Sequence, residues 1–266
     1  MRFGPGLVPL LSSLCVLGGS FVRNTLVRRT VLSASALSLA LLATACGSDA
    51  SDDKVGGATP TPSGAASSAA PAAKAKTDAE LVALLVTQTE LPTHAVRAAT
   101  PDELAAAAGA GSDKPECLPL VKAQSTAPVG TPAGRAGTKA VALPKSAGDV
   151  LGATVTSITL ASYEGKAADA AFASVKAAAS ACAGGYTGSQ TGDSLKISKV
   201  VPGAPVTVGD EALAYTAVAD VDGEKASTEL VVVRKGNIIA TFSAVSPSGS
   251  AEQPKAVIDA QVKKLG

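Results

Sequence analysis

The chain has few of the side chains on which binding and catalytic sites commonly depend. Its 266 residues include no Trp, three Tyr, four Phe, one Met and one His. Scarce aromatic rings leave few platforms on which sugars or bases stack. His94 is the sole imidazole, so a nucleophile would have a single candidate for its most common general base. We therefore expect no enzyme activity, no cofactor and no metal.

Positive charge is also limited once the N-terminal segment is set aside. Four of the 23 Lys and Arg residues, but none of the 22 Asp and Glu residues, precede Cys46. The rest of the chain thus holds 19 basic and 22 acidic side chains, a net charge of about −3. Nucleic-acid binding depends on cationic side chains that neutralise phosphates. The charge balance therefore argues against nucleic acid as a partner.

The N-terminal segment is typical of a lipoprotein signal peptide. Three arginines, at positions 23, 28 and 29, precede the apolar run Val31 to Leu42, and three small residues and then Cys46 follow it. A basic start, an apolar stretch and small residues before the cut define a secretory leader. The run is shorter than the about 20 residues that a membrane span needs. We predict a signal peptide over residues 1–45 and a lipid on Cys46 that attaches the protein to the membrane.

The start of this leader leaves two points open. The apolar run Leu7 to Leu17 lies upstream of a normal leader, so we expect the true start at about residues 22–27. The pair Arg28-Arg29 fits twin-arginine export as well as ordinary secretion. By either route the mature protein is expected outside the cytoplasm, on the outer face of the cell membrane.

After the anchor, composition divides the chain into a tether and a domain. Residues 46–76 are mostly Ser, Ala, Gly, Pro and Asp, a composition that buries too little apolar surface to fold. Residues 77–266 form the predicted domain and contain two cysteines, Cys117 and Cys182. In an oxidising compartment such a pair favours a disulfide over a thiol nucleophile or half of a metal site.

Sequence patterns in the domain predict an α+β fold. Capping-box motifs begin helices after Thr77 and Thr100, and residues 250–253 are expected to cap the last helix. An amphipathic helix is predicted between Lys166 and Ala183. Alternating apolar residues and turn signals predict strands, and a long loop is expected over residues 125–149. The predicted strands cover residues 154–163, 195–197, 212–221, 229–234 and 238–245.

These elements predict an antiparallel β-sheet meander with helices packed on one face, in two layers, with one disulfide. Several segments also resemble a known family. The helix that ends in Cys182-Ala183-Gly184 and the Gly236-Asn237 turn before an apolar strand resemble the extracytoplasmic sensor domain of the actinobacterial kinase PknH and its lipoprotein relatives. The segment Gly209 to Ala212 is similar to one in LpqN-type lipoproteins. The resemblance implies a non-catalytic domain with a ligand-binding cleft.

Two functions follow as hypotheses. The first is a membrane-anchored, extracytoplasmic sensor-like domain that binds an unknown small ligand. Tyr163 and Tyr215, both on predicted strands, are its candidate ligand-binding residues, although ordinary sheet positions with wetted hydroxyls account for them too. The second is an envelope lipoprotein that binds another envelope protein through the loop over residues 125–149 or through an exposed strand edge.

Overall fold

The computed structural model describes residues 74–142, 153–221, 223–246 and 249–266. The predicted signal peptide, Cys46 and most of the predicted tether lie outside the described residues. Within the described ranges the chain forms five α-helices and nine β-strands. The helices are α1 (Asp78–Leu84), α2 (Pro101–Ala108), α3 (Leu118–Gln124), α4 (Ala167–Ala181) and α5 (Lys255–Leu265). The strands are β1 (His94–Ala98), β2 (Gly111–Ser112), β3 (Gly134–Ala142), β4 (Val155–Ser162), β5 (Tyr186–Gln190), β6 (Asp193–Pro202), β7 (Glu211–Val221), β8 (Glu224–Lys235) and β9 (Ile238–Val245).

All nine described strands belong to one antiparallel sheet. Their order is β1-β3-β4-β9-β8-β7-β6-β5-β2, so β5 to β9 form a meander of direct neighbours. Short turns join β5 to β6, β7 to β8 and β8 to β9, and a longer connection over residues 203–210 joins β6 to β7. Short turns place successive strands antiparallel, which produces the meander. The predicted α+β class and antiparallel meander are therefore confirmed. No helix in the described ranges combines the length and the apolar character needed to cross a membrane.

The helix starts follow local sequence signals in two of the three predicted cases. In α1 the Thr77 hydroxyl accepts from the Glu80 amide at 3.4 Å, and the Glu80 carboxylate accepts from the Thr77 amide at 2.7 Å. The same reciprocal pair joins Thr100 and Glu103 at the start of α2. The last helix differs, because α5 follows Pro254 without a side-chain cap. Residues 250–253 therefore do not cap it through a side chain.

Helices cover both faces of the sheet, so the arrangement has three layers rather than the expected two. Side chains of α1 and α5 pack with one set of strand residues, including Val231 and Val233. Side chains of α3 and α4 pack with the alternate set, including Leu230 and Val232. Successive strand residues point to opposite faces. We call these the α1/α5 face and the α3/α4 face. The prediction of helices on one face alone was incomplete. Because β8 is apolar on both of its faces, helices cover the sheet on both sides.

The predicted disulfide between Cys117 and Cys182 is present, with both residues buried and their Cα atoms 5.9 Å apart. Cys117 ends a short 3-10 turn that leads into α3, and Cys182 follows the last turn of α4. The bond therefore joins the two helices that lie side by side on the α3/α4 face. It encloses a separation of 65 residues.

The predicted loop over residues 125–149 is wrong in its central part. Residues 134–142 form β3, which pairs with β1 on one side and β4 on the other. The sequence there, GRAGTKAVA, is poor in strand-forming residues, and pairing with two neighbours overrides that weak propensity. Residues 143–149 of the predicted loop lie outside the described residues. Residues 134–142 are paired within the sheet, so they are not a free loop that could bind another protein.

The edge strand β1 has part of its outer backbone paired by a side chain. The Val96 amide donates to the Gln88 side-chain carbonyl at 3.1 Å, and the Gln88 side-chain amide donates to the His94 carbonyl at 2.6 Å. Gln88 thereby occupies backbone groups that an added strand would need. His94 is the first residue of this strand.

Candidate functional site

An open cleft on the α3/α4 face consists of two grooves that meet beside the end of α3. The first, the hairpin groove, has a volume of about 470 Å³ and lies between α3 and the β5–β6 hairpin. Its walls combine apolar side chains with hydroxyl and amide groups. They include Val121, Gln190, Leu195, Ile197, Thr228 and Val245.

The second, the Lys139 groove, has a volume of about 270 Å³ and lies between α2 and the end of α3. Its walls include Glu103, Leu104, Lys139 and Thr159, a more polar set. Three residues line both grooves: Gln124, Ser125 and Gln190. The tip of the β5–β6 hairpin, which carries Gln190, therefore reaches the residues that follow α3, and the two grooves adjoin.

Hydroxyl groups of two central strands hold the end of α3 in place. The Ser243 hydroxyl on β9 donates to the Gln124 carbonyl at 2.9 Å, and the Thr159 hydroxyl on β4 donates to the Thr126 carbonyl at 3.0 Å. The last carbonyls of a helix lack partners within the helix and need others when buried. The strand hydroxyls supply them, and so they fix Gln124 at the junction of the grooves.

Gln124 also links the cleft to the core. Its side-chain oxygen accepts a hydrogen bond from the Tyr186 hydroxyl. Burial raises the pKa of this hydroxyl, which keeps it protonated as a donor. This bond orients the Gln124 amide, and its side-chain nitrogen, which has no hydrogen-bond partner among the described residues, is a donor available to a ligand.

A three-membered ion network lies at the Lys139 groove. The Glu103 carboxylate accepts from Arg97 at 2.7 and 2.9 Å and from Lys139 at 2.6 Å. These two cations, together with the Thr100 amide, hold the pKa of Glu103 well below its usual value. Glu103 is thus charged at neutral pH, and its single negative charge is shared by two positive ones.

Two Thr residues of the cleft have unusual backbone conformations. Among the described residues, Thr126 (φ 58°) and Thr191 (φ 50°) are the non-glycine residues with positive φ. Each lines one of the two grooves. A β-branched residue rarely adopts this conformation, and strained residues tend to concentrate at functional sites. Thr191 with Gly192 also forms the two-residue turn of the β5–β6 hairpin, which accounts for its φ.

The two predicted ligand-binding tyrosines lie in the core, not among the described residues that line the cleft. Tyr163 is 1% exposed, and its hydroxyl donates to the Val129 carbonyl at 2.6 Å. Tyr215 is 2% exposed, and its hydroxyl has no hydrogen-bond partner among the described residues. Burial raises the pKa of both hydroxyls. The structure does not bring the two residues together in the cleft.

His94 lies on β1 near the opposite border of the sheet from the hairpin groove, and partial burial lowers its pKa. Within the described ranges no group of three or more His, Cys, Asp or Glu side chains is arranged to hold a metal ion. The cleft instead offers hydroxyl, amide and apolar groups with one ion network. Such a set binds and orients a ligand by hydrogen bonding and apolar contact.

Sequence reasoning missed the cleft residues because they come from eight separate elements, namely α2, α3, β3, β4, β5, β6, β8 and β9. One signal was nevertheless available. In β4 and β9 the residues Ser157, Thr159, Thr241 and Ser243 alternate with apolar residues. Apolar residues are expected at strand positions that helices cover. A row of hydroxyl residues at such positions therefore indicates a face that makes hydrogen bonds. The matching patterns in two strands pointed to this region of the sheet.

Comparisons with known proteins give limited information. No protein-family model matches the chain, and no curated protein matches it. Among solved structures, the chain is similar to the crystal structure of the extracellular domain of PknH from Mycobacterium tuberculosis, with a TM-score of 0.45 and 10% sequence identity. The similarity covers 72% of this chain and 96% of the other. At this identity and TM-score the similarity is distant.

Proposed function

We propose that this protein is an extracytoplasmic lipoprotein, anchored by a lipid on Cys46, whose domain binds a small ligand in the cleft without catalysing a reaction. The cleft carries the proposal. Its larger groove, at about 470 Å³, falls in the range of small-molecule sites, and it combines apolar walls with a few convergent polar groups.

The disulfide supports the extracytoplasmic location. Disulfides persist in oxidising compartments and are rare in the cytosol. The Cys117–Cys182 bond is buried and joins two core helices, so it is part of the fold rather than an exposed thiol pair. This agrees with the signal peptide predicted over residues 1–45.

The anchor is tested with the full chain expressed in a bacterium that processes lipoproteins. We expect the protein in the membrane fraction, with an intact mass that corresponds to a lipid-modified chain beginning at Cys46. The Cys46→Ala variant should appear in the soluble fraction without the lipid mass. Thr44→Ala, which keeps a small residue before Cys46, is the matched control and should behave as wild type. An unmodified wild-type chain in the soluble fraction would overturn the anchor.

Ligand binding is tested on the soluble Cys46→Ala chain by thermal unfolding in the presence of aqueous and organic extracts of bacterial envelopes. We expect at least one fraction to raise the unfolding midpoint. Thr228→Trp fills the hairpin groove and should abolish this shift. Ser227→Trp is the control because the neighbouring strand residue points to the other face. The absence of a shift in every fraction, or an equal shift in Thr228→Trp, would contradict the proposal.

A further inference from the structure

We propose that the cleft binds an amphiphile with a single anionic group, which lies beside Lys139 while the alkyl chain lies in the hairpin groove. The inference rests on the proposed function, because it names the ligand class of the same cleft. It depends on the different character of the two grooves, on the charge at Lys139 and on the position of Asp193.

The hairpin groove contains apolar side chains that remain open to solvent. Leu195 and Val245 are 42% and 43% exposed, and both line this groove together with the buried Val121 and Ile197. In the described part of the chain four large apolar side chains are exposed, so two of the four share one concavity. A concave apolar surface of this kind is typical of a ligand groove. An alkyl chain covers such side chains without leaving polar groups unpaired.

The Lys139 groove carries an excess of positive charge. Lys139 lies 2.6 Å from the Glu103 carboxylate, and Arg97 binds both oxygens of the same carboxylate. The ammonium group of Lys139 has three donors, and the structure shows one of them in use. Two cations thus share one anion, and this network has a net charge of +1. A carboxylate or phosphate at this point gains a charge-assisted hydrogen bond and balances the charge.

The charges also set the direction of the ligand. Asp193 is the charged residue among the described residues that line the hairpin groove, and its carboxylate disfavours an anionic group there. The junction of the grooves is uncharged and offers the Gln124 amide nitrogen and Gln190. A ligand that crosses this junction therefore meets positive charge at one end and an apolar wall at the other.

The test uses the soluble Cys46→Ala full chain and three probes with the same number of carbon atoms, namely dodecanoate, dodecyl phosphate and dodecanol. Binding is measured by isothermal titration below the critical micelle concentration. We expect the anionic probes to bind at least about tenfold more tightly than dodecanol, the ratio that one charge-assisted hydrogen bond supplies. The ratio between dodecanoate and dodecyl phosphate distinguishes a fatty-acid source from a phospholipid-derived one. Sodium acetate, without the chain, should not bind measurably.

Two substitutions separate the two halves of the site. Lys139→Met should remove the preference for the anionic probes and leave dodecanol binding within about twofold, because one hydrogen-bonded charge is lost. Lys199→Met is its control, since Lys199 is an exposed lysine on the other face of the same sheet. Leu195→Ser should weaken all three alkyl probes. Val82→Ser, at an apolar residue that is 60% exposed on α1, should not change binding.

The outcomes distinguish this inference from the proposed function. Unfolding midpoints of each variant, compared with the parent chain, show whether the domain remains folded. If an envelope fraction stabilises the protein through the cleft but no alkyl probe binds, the ligand class is wrong and the proposed function stands. If the anionic probes bind with equal affinity to Lys139→Met, the assigned position of the head group is wrong.

Discussion

The two faces of β4 and β9 have opposite character although the same two strands form both. Toward the α1/α5 face these strands present apolar residues: Ile158, Leu160, Ala240 and Phe242. Toward the α3/α4 face they present hydroxyl residues: Ser157, Thr159, Thr241 and Ser243. Thr159 is nevertheless 3% exposed and Ser243 is 5% exposed. Over residues 157–160 and 240–243 one face is thus apolar and the other carries hydroxyls, whereas Ala161 and Ile239 make the α3/α4 face apolar farther along the same strands.

The two faces of these strands have different roles: one contributes stability and the other positions the end of α3. The apolar face packs against α1 and α5 and gains from removing hydrocarbon from water. The hydroxyl face uses directional hydrogen bonds, and these fix the end of α3 where the two grooves of the cleft meet. Because hydrogen bonds hold this helix end, it does not need apolar packing against the sheet on every side. The adjoining surface can therefore remain open as a cleft.

The α3/α4 face is held together in part by a covalent bond, and its removal should have the largest effect. The Cys117→Ala/Cys182→Ala double variant is expected to lower the free energy of unfolding by about 4 kcal/mol, because the bond restricts the unfolded chain over 65 residues. Urea unfolding of the soluble chain measures this, and wild type treated with reductant is the control. A change below about 1 kcal/mol would mean that packing alone holds this face together.

Neighbouring substitutions on β4 compare the two faces directly. Leu160→Ala, at a residue with no exposed surface, should lower the free energy of unfolding by about 3 kcal/mol through lost burial and a cavity. Thr159→Ala removes one hydrogen bond to the Thr126 carbonyl and should cost about 1 kcal/mol. Urea unfolding gives both values. Equal losses, or a larger one for Thr159→Ala, would contradict the assigned roles of the faces.

The two core tyrosines on the α3/α4 face should respond differently to loss of the hydroxyl. Tyr163→Phe breaks the bond to the Val129 carbonyl and is expected to destabilise the protein by about 1 kcal/mol. Tyr215→Phe removes a buried hydroxyl that has no partner among the described residues, so it should be neutral or stabilising. Thermal unfolding of the two variants provides the comparison. A loss in Tyr215→Phe as large as in Tyr163→Phe would show that its hydroxyl is in fact hydrogen-bonded.

The ion network at the Lys139 groove should produce the smallest effect, seen as a pH dependence. The pKa of Glu103 is lowered in the folded protein, so its contribution is complete above the ordinary value of 4.5 and disappears as the pH falls through the folded pKa. Wild type should therefore lose stability below about pH 4.5 more steeply than Glu103→Gln. Glu164→Gln, at an exposed carboxyl outside the described ion pairs, should retain the wild-type slope. Parallel slopes for all three proteins would exclude this role.

The sequence predicted the elements that local signals determine. The capping boxes at Thr77 and Thr100 and the stripe of α4 depend on residues three or four positions apart, and all three helices are confirmed. The β7–β8–β9 hairpins follow from their turn residues and are confirmed as well. Boundaries shifted by a few residues, as at β8, which extends from Glu224 to Lys235.

Elements that depend on distant partners were not predicted. β3 has glycines where strand formers are expected, and the structure explains one of them. A Cβ at Gly137 would lie 3.1 Å from the Leu104 side chain and 3.2 Å from Ala99, so the small residue permits α2 to approach the sheet. The cleft depends on the same kind of distant approach, since Gln124 at the end of α3 and Gln190 at the end of β5 line the same two grooves. No local pattern specifies such a meeting.

The side chain of Gln88, which pairs with the backbone of the edge strand β1, affects how copies of this protein behave together. A proposed lipid anchor would confine many copies to one surface, where collisions between borders of sheets are frequent. Unpaired backbone groups on a border strand are a template for joining another chain. By holding the Val96 amide and the His94 carbonyl, Gln88 removes two attachment points from that template. A crowded membrane surface would then carry separate domains instead of polymerised sheets.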